Sequence, residues 1–363
     1  MPEITVNLEA VAHNLRIMRG LEREKGFILL PVVKMIAAFP PVLELLEACG
    51  YAASGLADID EAEEGAGRHA LISLWPLGRA EDVARRFFRS PVSSLESLRA
   101  LESAARALGL RRSALLMLDL GDGREGVQPA ELPELLDQIA RERLTHIELN
   151  GLGVTLGCLH GMPPHEENMA QLGEAAFRMA DRLGRSLAVV SLGGSVCLEW
   201  LIRRPGSPRL PAGCVLELRA GDPLFLGHDM YRDCPFPQGD FRGDVFQFRA
   251  AVLEVKEKEF LPPPQPALTG RIATAKPLRA GRHTRVLLDC GSLHTQVEDL
   301  KVELPQARII EHSASYTVLE MAPGAPAPLL GDMVNFRAGY WAVARSFRSR
   351  SVRKRCLGRG GPV

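Results

Sequence analysis

ILLPVVK (28–34), PVLELLEACG (41–50) and YAASGLA (51–57) stand in succession near the start of the chain. The two outer runs are apolar rather than alternating, as expected of strands buried on both faces. The middle stretch repeats its apolar residues every three or four positions, the period of a helix with one buried face. Strand, helix and second buried strand in that order make a parallel unit. The reading continues outward: HALISLW (69–75), SPVSSL (90–95), ALLMLDL (114–120), IELNGLGVTL (147–156), LAVVSLG (187–193) and VLELRAG (215–221) bring the strands to eight. AEDVARRFF, SLESLRALESAARALG, ELPELLDQIARER, HEENMAQLGEAAFRMADRLG and CLEWLIRR supply helices between them. Eight units within about 210 residues predict an α/β fold closed into a (β/α)8 (TIM) barrel rather than an open doubly wound sheet. No G-x-G-x-x-G follows an early strand, which weakens a dinucleotide site further.

After about Asp240 the texture changes. VFQFRAAVLEVKE, TRVLLDC, ARIIEHSASYTVLEM and DMVNFRAGYWAVARSF read as strands separated by turns, with a proline-rich connection LPPPQP at 261–266. This is a second, mostly-β domain. The expected division is 1–240 for the barrel, with residues 1–10 able to pair with the second domain, 241–352 for the β domain, and 353–363 for a basic tail. No Asp or Glu follows Asp332, while Arg345, Arg348, Arg350, Arg353, Lys354, Arg355 and Arg359 crowd the end. A solvated, mobile tail explains this more simply than a nucleic-acid arm.

The chain has 363 residues, 46% hydrophobic and 24% charged, too apolar for disorder and long enough for two domains. Lys plus Arg and Asp plus Glu each total 44, so no global field favours nucleic acid or an anionic membrane. Seven cysteines, odd in number and without a C-x-x-C pair or a secretory signal, fit a reduced, cytoplasmic setting. The apolar runs are too short to span a membrane. A small-molecule ligand is the class left open.

In such a barrel, chemistry gathers where strands end. Lys34 follows ILLPVV directly, where partial burial would lower its pKa and make the amine nucleophilic enough for a Schiff base. An ordinary solvated lysine fits the position as well. SLGGS (191–195) closes the seventh strand, where two glycines let backbone N–H groups and the Ser195 hydroxyl face an anion. The eighth strand runs into RAGDPLFLG (219–227), where Gly221 permits close backbone approach and Arg219 supplies a cation. The loops after strands seven and eight are the usual phosphate site of such barrels.

These stretches resemble the alanine racemase-like barrel enzymes that carry pyridoxal phosphate. VNLEAVAHNLRIM (6–18) looks like that family's start and PVVK like its cofactor-lysine strand. LMLDLGDGREGV (116–127), HEENMAQLGEAA (165–176), VVSLGGS and RAGDPLFLG resemble the ornithine racemase branch. The similarity runs from about residue 4 to 350 and is strongest from 114 to 228. It implies that Lys34 carries the cofactor, that Ser195 with the Gly221 and Asp222 amides holds the phosphate, and that Arg219 faces the pyridine nitrogen. It places Arg124 near the cofactor's phenolic oxygen or the substrate carboxylate, although a surface arginine after strand five is the plain alternative. The implied assembly is a head-to-tail homodimer whose sites are completed across subunits.

The sequence also departs from alanine racemases. MIAAFPP follows Lys34, so their phosphate-contacting tyrosine is missing, as in the ornithine racemase branch. Racemisation needs a second acid/base on the face opposite the lysine. Alanine racemases take a tyrosine from the partner's β domain, but the comparable LLDCGSLHT (287–295) has none. Cys290, Ser292 and His294 lie there, with Tyr316 on a later strand, and a structural role stays open for each. Tyr340, in NFRAGYWAVAR, reads as a β-domain core residue or as a phosphate or interface tyrosine. Cys158 and His160 end strand six and line the expected pocket, but no spaced metal-ligand set accompanies them, so no metal is expected. The expectation is a pyridoxal-phosphate-dependent amino-acid racemase. A D-amino-acid lyase on the same fold and a cofactor-binding protein without turnover are the alternatives.

Overall fold

The computed structural model describes residues 1–363 except 66, 204–207, 230–233, 237–239, 261–280 and 359–363. The chain divides into two compact units, one of Met1–Ala10 with Gly243–Gly360 and one containing Val11–Arg242.

The second of these is the barrel. In chain order β1 (Glu3–Asn7), which belongs to the other unit, is followed by α1 (Leu8–Lys25) and then by the barrel strands. The barrel strands are β2 (Ile28–Pro31), β3 (Ser54–Leu56), β4 (His69–Leu71), β5 (Arg89–Val92), β6 (Arg112–Leu118), β7 (Ile147–Thr155), β8 (Val189–Gly193) and β9 (Val215–Ala220). They form one parallel eight-stranded sheet in the order β2-β9-β8-β7-β6-β5-β4-β3. Val32 bridges Gly55, joining the two ends of that order and closing the ring. All eight apolar runs are therefore strands, and the sequence order around the ring is that of a (β/α)8 barrel. The intervening helices are α2 (Pro40–Ala48), α3 (Ala80–Arg86), α4 (Leu95–Ala107), α5 (Leu132–Ala140), α6 (Glu166–Leu183), α7 (Val196–Arg203) and the single turn α8 (Asp222–Phe225). Ser94 and His165 start α4 and α6 with capping boxes, accepting from the N–H groups of Ser97 and Asn168.

Side chains two apart on a strand share a face, so the barrel lumen reads directly from spacing. Gly151 and Gly153 on β7 leave room for Leu115 and Met117 of β6, which would lie 2.6 Å from a Cβ at either glycine. On β9 the lumen pair is Glu217 and Arg219, 4% and 5% exposed. Their charges are accommodated because Glu217 accepts two hydrogen bonds from Arg89 Nη2, 2.6 and 2.7 Å. No helix among the described residues is long and apolar enough to cross a membrane.

The short ladder β10 (His228–Asp229) and β11 (Cys234–Pro235) follows the barrel. The other unit is an antiparallel sheet of β12 (Phe246–Phe260), β13 (Gly281–Leu288), β14 (Leu300–Val302), β15 (Ala307–His312), β16 (Thr317–Met321) and β17 (Met333–Ala338), in the order β14-β17-β12-β13-β16-β15. β1 lies antiparallel to β12. The LPPPQP connection lies outside the described residues.

Two expectations need correction. The segment read as a strand through YWAVARSF is α9 (Tyr340–Arg348). Ala342, Val343, Ser346 and Phe347 are its buried residues, a helical spacing, and Asp299 Oδ2 caps its start by accepting from the N–H groups of Trp341 and Ala342. The supposed tail is also ordered from Arg353 to Leu357: β18 (Arg353–Leu357) pairs in parallel with β1. An edge strand offers unmatched backbone groups, and its basic side chains find partners, Arg355 pairing with Glu3 and Lys354 with the Ser349 carbonyl. Residues 359–363 lie outside the described part.

Candidate active site

Lys34 begins a short 3-10 turn, Lys34–Ile36, directly after the first barrel strand. The Val32 N–H donates to the Ala220 carbonyl and the Val33 N–H to the Gly55 carbonyl, both at 2.9 Å, so two neighbouring strands fix its backbone. Ala37 and Ala38 follow in the left-handed region, φ 46° and 52°, a conformation that costs an alanine on the order of 1 kcal/mol per residue. Burial pushes the Lys34 amine below its usual pKa. Cys158 acts against that shift, Arg124 adds to it, and Asp222 and Glu125 also oppose it. Lys34, Arg124 and Asp222, expected together from the sequence, thus share one electrostatic environment, and Cys158 joins them.

Arg219 is held at the far end of β9. Nη1 donates to the Ser191 carbonyl at 3.1 Å and hydroxyl at 2.6 Å; Nη2 donates to the Val154 carbonyl at 2.9 Å and the Thr155 hydroxyl at 3.3 Å. Those four contacts occupy both terminal nitrogens and leave Nε–H as the remaining donor. Burial pulls the guanidinium pKa down and Glu217 opposes the shift, but an arginine stays protonated in a protein. A Cβ on Gly193 would lie 2.3 Å from Arg219 Nη2, so glycine there is what lets the guanidinium lie flat over β8. Gly194, at φ +105°, leads into Ser195 and α7, and a Cβ would meet the Leu156 carbonyl at 2.2 Å. Gly221 precedes Asp222 and α8, where a Cβ would stand 2.6 Å from the Val32 carbonyl. The two glycine loops are therefore packed against β7 and against the strand that delivers Lys34.

Arg124 sits in the GDGREG turn, organised by Asp119, whose Oδ1 accepts from the N–H groups of Gly121 and Gly123 at 3.0 and 3.1 Å. Its guanidinium pairs with Glu125, and although burial works against the charge, that carboxylate raises its pKa. Fully buried Asp122 accepts from the N–H groups of Cys158 and Leu159 at 3.2 and 3.0 Å, shaping the loop after β7. Burial raises the Cys158 pKa, while Arg124 and Lys34 pull it down.

The proposed opposite-face residues belong to the β unit. Cys290 is 0% exposed, its thiol donates toward Thr317 Oγ1, and burial pushes its pKa up to about 12. This corrects its selection as an acid/base: a sealed core thiol has no access to a ligand. His294 is half-buried and its Nδ1 accepts from the Gly291 N–H at 3.1 Å, which puts the neutral ring's proton on Nε2. Tyr316 is 47% exposed. Tyr340 is not a core residue; it is half-buried, with its ring edge-on to Trp341 at 5.0 Å. Among the described residues no His, Cys, Asp and Glu group is placed to hold a metal.

Sequence reading missed Glu125, Asp122, Ser191 and Glu217. One signal was available: Glu217 and Arg219 are two apart in an apolar strand, hence on one buried face.

A family model described as the alanine racemase N-terminal domain matches residues 6–208. Ornithine racemase of Acetoanaerobium sticklandii is 28% identical, covering 98% of this chain and 99% of that protein. Alanine racemase of Mycolicibacterium smegmatis is 31% identical over 49% of this chain and 46% of its own length. Among solved structures, alanine racemase from Streptomyces coelicolor A3(2) superposes with a TM-score of 0.73 at 19% identity, covering 99% of this chain and 98% of that one. D-threonine aldolase from Filomicrobium marinum gives 0.69 at 18% identity, covering 100% and 93%.

Proposed function

Because the chain belongs to the alanine racemase family, we propose that it is a pyridoxal-phosphate-dependent amino-acid racemase working in the cytoplasm as a head-to-tail homodimer, with ornithine the first substrate to try. The observation that carries the reading is Lys34: a lysine amine that follows the first barrel strand, held below its usual pKa by burial and feeling the charges of Arg124 and Asp222.

The residues present fit the cofactor. The Gly194 and Gly221 loops come against neighbouring backbone closely enough to exclude any side chain, and such loops turn N–H groups toward an anion. Ser195 and the Gly221 and Asp222 amides would be the donors for the phosphate, Arg219 would be the partner of the ring nitrogen, and Lys34 would be the point of attachment. When bound, the cofactor supplies an electron sink for the charge left on the substrate's α-carbon after proton loss.

The chain's own residues do the rest. A lowered pKa leaves more of the Lys34 amine neutral near pH 7, as both a nucleophile and a base for the α-proton require. Arg219, fixed by four hydrogen bonds, holds a charge that does not titrate, so it would offer no proton to a ring nitrogen bound against it. Arg124 holds the substrate carboxylate. The proton on the opposite face is assigned to the Ser292–His294 segment of a second copy, with His294 Nε2 as carrier, because Nδ1 is taken by the Gly291 N–H.

The test is chiral chromatography of single-enantiomer amino acids incubated with protein reconstituted with pyridoxal phosphate. Conversion of one enantiomer into an equal mixture supports the reading. Loss of the amino acid to a keto or aldehyde product would replace it with a lyase.

A further inference from the structure

The GDGREG turn is rich in glycines with positive φ, Gly121 at 106°, Gly123 at 64° and Gly126 at 130°, so its backbone alone does not aim a long side chain. One of its residues is nevertheless held firmly. The Glu125 side chain is 8% exposed and accepts from Arg124 on both oxygens, Nη2 to Oε1 at 2.7 Å and Nε to Oε2. Oε1 also accepts from the Thr155 hydroxyl at 2.8 Å, and that hydroxyl in turn accepts from Arg219 Nη2 at 3.3 Å. Gly126 seats the end of the turn: a Cβ there would lie 2.5 Å from the Asp119 nitrogen, and Val127 pairs with Leu118. Glu125 is thereby pinned between β6 and β7 while Arg124, 31% exposed, remains open on its outer side.

We propose that Glu125 is the positioning residue for Arg124: its carboxylate takes the Nε/Nη2 edge of the guanidinium and leaves the Nη1 edge as the face offered to the substrate's α-carboxylate. This rests on the racemase reading, since it needs Arg124 to meet that carboxylate. A bidentate carboxylate matches the guanidinium fork in one plane, so the clamp sets direction as well as distance. Through Thr155 the same carboxylate is tied to Arg219 by two hydrogen bonds, so Glu125 and Thr155 together link the carboxylate-binding cation to the cation assigned to the cofactor ring. Glu125→Gln replaces one accepting oxygen with an amide that cannot accept from arginine, so one of the two clamp bonds is lost.

The experiment compares ornithine with 1,4-diaminobutane, which is ornithine without its carboxylate. Each is titrated into holo wild type, Glu125→Gln and Glu125→Asp, following the visible absorbance of the bound cofactor. Wild type should prefer ornithine. In Glu125→Gln, ornithine should weaken about tenfold, the scale of one charge-assisted hydrogen bond, with diaminobutane within about threefold, so the preference shrinks by that tenfold loss. Glu125→Asp, which keeps the charge, should retain part of the preference, and it decides the matter by the same comparison if the glutamine variant does not fold. An unchanged preference in the variants, or equal weakening of both ligands, overturns the proposal. A wild type without preference for ornithine overturns the role given to Arg124, and so fails at the racemase reading instead.

Discussion

Gly193→Ala tests how Arg219 is seated without touching Arg219 itself. The added Cβ would stand 2.3 Å from Nη2, 3.0 Å from Cζ and 3.1 Å from Nε, so the whole guanidinium must lift, not one flexible end. Gly193 is not at positive φ, so alanine brings no backbone penalty of its own. The lift breaks or stretches the contacts of Nη2 with the Val154 carbonyl and the Thr155 hydroxyl. Each charge-assisted hydrogen bond is worth roughly 1.5–3 kcal/mol. Partial relaxation of the lumen brings the expected loss to about 2–4 kcal/mol, comparable with a large core deletion. Urea unfolding of the apo protein should show that loss as a lower midpoint with an unchanged slope. The visible band of added cofactor should also differ from wild type, because the cation assigned to the ring nitrogen has moved. An unchanged midpoint and an unchanged band together would refute the seating of Arg219 over Gly193.

Lys34→Met should stabilise the apo protein, since burial disfavours the charged amine and methionine keeps most of the stem's packing. The folded pKa lies below the unfolded value of 10.5, so the folded state binds fewer protons between the two and wild-type stability rises with pH there; the advantage of Lys34→Met, read from thermal midpoints across pH, should shrink as pH approaches 10.5. Burial works against the Glu102 charge, but N–H groups of His146, Thr145 and Ile147 with Arg106 hold its pKa down to about 2, against an ordinary 4.5, worth at most roughly 3 kcal/mol. That stability is present above pH 4.5 and lost as pH falls toward 2, so Glu102→Gln should lower the urea midpoint at pH 7 and converge with wild type in acid. His294→Ala should cut turnover by about 100-fold or more with cofactor affinity kept, whereas Cys290→Ala should leave turnover within about threefold and cost roughly 1 kcal/mol of stability; the reverse pattern would return the second proton to the thiol.

The fold was legible because parallel barrel strands are buried on both faces and so write themselves as unbroken apolar runs, ILLPVV and LAVVSLG among them. The helix at Tyr340–Arg348 was not, because YWAVARSF carries the aromatic and β-branched residues of a strand and its cap comes from Asp299, far back in sequence. The same distance hid β18: five residues that open with three basic side chains and alternate exposed with half-buried look like a tail until the β1 edge is present to pair with them. At the site, Lys34, Arg219 and the glycine loops announced themselves by ending strands. Glu125, Ser191 and Asp122 gave no such sign, since each works by accepting or bridging hydrogen bonds between residues from different strands and loops. Cys290 misled because its neighbours in sequence resemble a catalytic segment, whereas its surroundings in space are the sheet interior.

The central claim is that Lys34 carries pyridoxal phosphate, and it is tested by borohydride reduction of the reconstituted protein followed by peptide mass mapping. The account predicts one modified peptide, with the reduced cofactor on Lys34 and no label in Lys34→Ala. A label on any other lysine, or no cofactor retained by the wild-type chain, would contradict it.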